Sequence, residues 1–147
     1  MTMRRHWPVM RRAGPLALTA LTLAGSARAA PGAVPAIKPD ALRGEQVYTR
    51  CLACHTLAFD RVGPRHCGLF GRLAGSVPGV DYSVAMKRSG IVWNEKTLDR
   101  FLASPMKAVP GTSMTYDGVA DPKDRADLIA YLRSARHTAE CAKAPQR

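Results

Sequence analysis

Two cysteines three apart, with a histidine directly after the second, stand in the stretch "RCLACHTL" at residues 50–57. Cys51 and Cys54 at this spacing suit three chemistries: a redox-active disulfide, half of a zinc site, or a pair of thioethers to the vinyl groups of a haem, with His55 turned inward onto the iron. Zinc needs two more ligands at compatible spacing. Cys67 and Cys141 offer no second Cys-x-x-Cys, and His66 beside Cys67 is a poor pair. A thioredoxin-like redox centre needs βαβ segments, which the pattern does not show. Covalent haem needs only the motif itself, because the cysteines straddle one porphyrin edge and the next residue reaches the metal.

The residues ahead of the motif favour the haem reading. Arg4, Arg5, Arg11 and Arg12 form a basic leader, and "GPLALTALTLAG" is an apolar core too short to span a bilayer. "ARA" at Ala27–Ala29 supplies a small-x-small cleavage pattern. Residues 1–29 are therefore expected to be a cleaved export signal, placing the mature chain in the periplasm of a Gram-negative bacterium. Residues 30–39, "APGAVPAIKP", carry three prolines and no periodicity, as a flexible arm would. Residues 40–141 are expected to fold as one small domain, with 142–147 as a tail.

The full chain has a formal charge of +11, but five of its arginines lie in the leader; beyond it stand 17 Lys+Arg against 11 Asp+Glu. A mature charge of this sign favours partners with acidic surfaces. Nucleic acid is the usual rival for a basic protein. Export argues against it, and so does the scatter of the basic residues. No stable membrane insertion is expected, and the chain reads as a monomer.

Four helical pieces surround the motif. "PDALRGEQVYTRC" has Asp40 as cap and Gly44, Val47, Tyr48 and Cys51 at helical spacing. "DYSVAMKRSG" is a short helix ended by Gly90. "WNEKTLDRFLASP" has Asn94 as cap, a Trp93–Leu98 staple and a stop before Pro105. "DPKDRADLIAYLRSA" has Asp121 as cap, Pro122 in the first turn, and Leu128, Tyr131, Leu132 and Ala135 along one face. Between them run loops that are long for helices this short, Leu57 to about Asp81 and Pro105 to Ala120. Such loops need something to pack on, and a large apolar cofactor would add what a small core lacks. An iron held by His55 also needs a second axial group. Met86 falls in a helix among polar neighbours and Met106 at a helix end, whereas Met114 lies in the loop "VPGTSMTYDG", free to turn inward.

Taken together, "CLACHT", "GPRHCGLFGRLAGSVPGVDYS", "GIVWNEKTLDRFLASPMKAVPGTSM" and "RADLIAYL" resemble the class I cytochromes c, mitochondrial and soluble bacterial, in order from about Gly44 to Ala135. The resemblance implies an all-α fold of short helices and long loops wrapped around one haem c, bound covalently through Cys51 and Cys54. It implies His55 and Met114 as the axial ligands, and Pro64 as the carbonyl that accepts from the far nitrogen of His55. It places Arg72, Tyr82 and Trp93 at the haem propionates, Tyr116 beside the exposed haem edge, and Gly44 with Tyr131 at a close crossing of the first and last helices.

Departures from the family pattern matter as much. Phe101 stands where many members have a tyrosine whose hydroxyl bonds the methionine sulfur, which implies a lower reduction potential. The loop from His55 to Gly63 is shorter than the mitochondrial one and points to a bacterial relative. Met106 and Ser113 replace lysines of the mitochondrial docking face, while Lys87, Arg88, Lys96, Arg100 and Lys107 remain as a basic rim. Cys67 replaces a histidine that ties two loops together, and Cys141 lies beyond the usual end of the last helix. An oxidising compartment favours a Cys67–Cys141 bridge over two free thiols.

The expected function is one-electron transport by Fe(II)/Fe(III) cycling, without bond-making on a substrate. Quinol–cytochrome c oxidoreductase, a terminal oxidase, a photosynthetic reaction centre or a periplasmic dehydrogenase would serve as partners. The rival class is a haem enzyme or gas sensor with a labile Met114, peroxidase-like or binding NO or CO. A further rival is a domain acting only within a larger oxidoreductase.

Overall fold

A computed structural model describes residues 38–144; the expected export signal, nearly all of the expected arm and residues 145–147 lie outside the described residues. Asp40 caps helix α1 (Ala41–Tyr48) by accepting from the amides of Leu42 and Arg43. A 3-10 turn, Thr49–Cys51, continues α1 and delivers the first cysteine at its end. Helix α2 (Val84–Arg88) starts at Ser83 and is closed by Gly90, whose φ of 64° is the left-handed conformation expected of it. Helix α3 (Glu95–Ala103) opens with a full capping box between Asn94 and Thr97. Helix α5 (Pro122–Ala135) has its Asp121 cap and Pro122 in the first turn, as expected.

Two further helical turns were not anticipated. Helix α4 (Pro105–Ala108) falls where an irregular loop was expected, and helix α6 (Ala139–Ala142) falls at the C-terminal end. A single turn lacks the length to form by its own propensity, so tertiary context decides it. Pro105, buried, suits the first turn of α4 because it brings no amide that would go unpaired. Thr138 caps α6, and a Cys67–Cys141 disulfide with Cα atoms 5.2 Å apart ties that turn to the loop after the haem motif.

The core is organised by the crossing of α1 and α5. A Cβ at Gly44 would fall 1.9 Å from the Asp127 carbonyl oxygen and 2.8 Å from the Tyr131 Cβ, so only glycine permits this approach. Tyr48 and Tyr131 meet at the same place, ring centroids 5.2 Å apart. Leu128, Leu132 and Ala135 are buried as expected, and Ile129 and Asp127 join them. Met86, read as lying among polar residues, is buried too, because the inward face of α2 points into the core.

Asp127 is a fully buried carboxylate at the crossing. It accepts from the Asp40 amide at 2.7 Å and from Lys123, and it pairs with Arg43 at 3.2 Å. Burial pushes its pKa up, but the Lys123 and Asp40 hydrogen bonds and the charges of Lys123 and Arg43 more than reverse this, leaving it below the usual carboxylate range.

The long middle loop is held by an extended pairing. Gly71 donates to Trp93, Trp93 to Arg72, and Ala74 to Ile91, around a Leu73–Val92 bridge. Among the described residues the rest of the regular structure is helical.

Candidate functional site

The end of α1 and the loop after it build the site. Cys54 and His55 both donate their amides to the Cys51 carbonyl, at 3.1 and 2.9 Å, which coils the motif tightly. Cys51 comes out half-buried and Cys54 exposed, both as thiols, while His55 is buried. The Gly63 amide returns to the Cys54 carbonyl at 2.9 Å, and the Arg61 guanidinium to the Leu52 carbonyl at 2.9 Å. This fold-back sets Pro64 beside the histidine, with its carbonyl oxygen 2.8 Å from His55 Nδ1. A Cβ at Gly63 would lie 2.2 Å from His55 Cε1 and 2.7 Å from each ring nitrogen. Glycine is therefore required there by the imidazole itself, a role the sequence reading did not assign.

His55 is pushed below the usual histidine range by burial, a trend the Pro64 bond opposes and the nearby Arg72 charge reinforces. The ring is therefore neutral at pH 7. With Nδ1 as the donor to Pro64, Nε2 presents a lone pair. Burial pushes the Cys51 thiol up, Arg50 opposing and Cys54 adding.

Arg72 donates to the carbonyls of Arg65 and Cys67, at 2.8 and 3.1 Å. It also lies within electrostatic reach of Tyr82. The extended pairing puts Trp93 next to it along the backbone, and the Trp93 ring sits 5.1 Å from that of Phe101. Met114 and Tyr116 are half-buried against the same core, on the loop that follows α4. The Met114 amide donates to Thr112 Oγ1 at 3.2 Å. That loop is seated on α2: a Cβ at Gly111 would touch Ala85 at 3.3 Å. Past it, Val119 donates to the Leu102 carbonyl and ties the loop back to α3. Leu57, Ala58, Trp93 and Phe101 thus share one core, with Cys51, Tyr82, Met114 and Tyr116 packed against it.

Three features escaped the sequence reading. His66 is stacked on the His55 ring, Tyr48 bonds His66, and Arg65 is buried in an ion pair with Asp60 at 2.6 Å. The sequence signal for His66 is weak, a histidine between Arg65 and Cys67 in a loop, which by type alone is a poor zinc ligand.

Among the described residues no group of three or more His, Cys, Asp or Glu is placed to hold a metal ion. The zinc alternative finds no support, since Cys51, Cys54 and His55 do not converge on one point. Two free cysteines that could add to haem vinyl groups, beside a buried imidazole bonded to the Pro64 carbonyl, supply the chemistry that covalent haem attachment needs. The residues fit that group.

Fold and site together define an all-α, c-type haem protein. The cytochrome c family profile matches residues 41–136, and the chain belongs to that family. It is 48% identical to cytochrome c2 of Rhodomicrobium vannielii over 96 residues, 63% of this chain and 77% of that one. It is 44% identical to cytochrome c2 of Blastochloris viridis over 102 residues, 67% and 80% of the two chains. Among solved structures it resembles cytochrome cH from Methylobacterium extorquens, with a TM-score of 0.63 and 43% identity over 65% of this chain and 98% of that one. The fold is the class I cytochrome c fold, and the cofactor is one haem c attached through Cys51 and Cys54.

Proposed function

We propose that this chain is a periplasmic single-haem electron carrier, with His55 and Met114 as the axial ligands of its iron. The observation that carries this reading is the His55 ring, buried within the attachment motif with Nδ1 bonded to the Pro64 carbonyl. That bond selects the tautomer, aims Nε2 inward and raises its basicity. When bound, the haem supplies a one-electron couple between ferrous and ferric iron. The protein's part is to hold that group still. Met114, on a loop tied back to α3, would be the second residue to hold the iron and would deny that place to small ligands. Its thioether favours the ferrous state relative to a nitrogen ligand. Phe101 brings no hydroxyl to the sulfur. Arg72, Tyr82 and Trp93 would hold the haem propionates, and Tyr116 would lie beside the haem edge.

Cys54 is exposed at the motif, and electrons would enter and leave at the haem edge close to Cys51 and Cys54. Lys87, Arg88, Lys96, Arg100 and Lys107 are exposed around the domain, and Arg100 and Lys107 share an open cleft with Ser104 and Ala108. Such a rim suits brief docking on acidic redox partners, among them quinol–cytochrome c oxidoreductase, a terminal oxidase, a reaction centre or a periplasmic dehydrogenase. Among the described residues no helix is long and apolar enough to cross a membrane.

The test is the absorption spectrum of the protein matured with a haem-attachment system. A sharp reduced α-band with a weak long-wavelength band in the oxidised form supports the carrier. Attached haem without that band, and with ready CO binding, makes the protein a gas-binding or peroxidase-type haem protein instead.

A further inference from the structure

We propose that His66 is a positioning residue for His55, held in place by Tyr48. The inference rests on reading His55 as an iron ligand. The two imidazole rings are stacked, with centroids 4.5 Å apart and planes inclined by 21°. The Tyr48 hydroxyl lies 3.1 Å from His66 Nδ1, and its ring meets the imidazole edge-on at 5.6 Å. Tyr48 is anchored in turn at the α1–α5 crossing, against Tyr131. The His66 amide reaches the carbonyls of Thr56 and Leu57, at 3.1 and 3.0 Å, so its backbone is tied to the residues directly after His55. A continuous series of contacts thus runs from the helix crossing to the ligand ring.

The Pro64 bond leaves the ring one freedom. An imidazole held at Nε2 by a metal and at Nδ1 by one carbonyl still rocks about the line joining those two atoms. A flat neighbour in face contact removes this motion, because rocking either collides with it or opens a gap and forfeits dispersion contact. The plane of the ligand ring is then set by the plane of His66, and Tyr48 fixes the latter. An aliphatic side chain at 66 would fill the volume, but it has no flat face and nothing for Tyr48 to bond.

The orientation of the ligand plane is read in ferric low-spin haem by the spread of the EPR g-values and the order of the haem-methyl NMR shifts. The experiment uses the haem-loaded full chain as wild type, His66→Phe, His66→Leu and Tyr48→Phe, with far-UV circular dichroism to verify folding. His66→Leu is expected to change the g-spread and reorder the methyl shifts. His66→Phe, which keeps a flat face, stays close to wild type, and Tyr48→Phe shifts part of the way toward His66→Leu. Wild-type values in both His66→Leu and Tyr48→Phe overturn the proposal, and so does a His66→Phe shift as large as that of His66→Leu. If His66→Leu does not take up haem, Tyr48→Phe and His66→Phe decide it by the same criteria. A wild-type protein without a low-spin ferric signal refutes the ligand reading first, and this proposal with it.

Discussion

Removing the Cys67–Cys141 bridge as a double alanine variant has a magnitude that follows from the chain path. The two cysteines are 74 residues apart, and closing a loop of that size in the unfolded chain corresponds to about 4.5 kcal/mol at 25 °C by chain entropy. Measured bridges more often contribute ~2–4 kcal/mol, so a loss of about 3–4 kcal/mol is expected. Both cysteines are buried, and each truncation removes one sulfur, which adds little to this figure. With a guanidinium slope of roughly 3 kcal/mol/M for a domain of this size, the unfolding midpoint should fall by about 1 M. The assay is equilibrium unfolding of haem-loaded protein followed by circular dichroism, with reduced wild type as a second route to the same state. Because the effect lies mainly in the unfolded chain, the folded variant should keep the wild-type absorption spectrum, while α6 frays without its tether. A midpoint shift below about 0.3 M refutes the reasoning, since the expected loss over that slope predicts several times more. An altered native spectrum refutes it in another way, by showing that the bridge acts on the site directly.

Gly63→Ala puts a methyl 2.2 Å from His55 Cε1, so the ring must tilt away from the Pro64 carbonyl. Loss of the oxidised long-wavelength band and a destabilisation of about 1–3 kcal/mol are expected from absorption and thermal melts. The lowered pKa of Asp127 contributes stability that is present above the unfolded carboxylate pKa and is lost as pH falls through the folded value. Asp127→Asn should therefore be less stable at neutral pH, with a flatter loss on acidification, in melts from pH 7 downward; a slope as steep as wild type would count against the assignment. If residue 101 stands beside the Met114 sulfur, as the resemblance implies, Phe101→Tyr should raise the reduction potential in a potentiometric titration. An unchanged or lower value would remove the hydroxyl from the explanation.

Local chemistry made much of this protein legible in its sequence. Asp40, Asn94 and Asp121 cap their helices as read, because a cap depends on residues three positions away at most. Gly90 ends α2 for the same reason. The motif at 51–55 is equally local: two thiols and an imidazole within one coiled turn narrow the chemistry to three possibilities, among which the other motifs decide. Even the Gly44–Tyr131 crossing was accessible, through the resemblance.

What the sequence by itself determined is the cofactor, the caps and the residues available to hold the iron. The tertiary structure decided which distant groups press on them. The single turns α4 and α6 exist because neighbours hold them, since a turn of that length does not persist alone. The charge of Asp127 is tolerable in the core only because Lys123, Arg43 and the Asp40 amide converge there. The meeting of Tyr48, His66 and His55 is the strongest case. Tyr48 and His66 stand 18 residues apart, outside any period that a helix or strand would reveal. Contacts between rings on separate segments depend on how the chain closes on itself, and no local pattern encodes that closure.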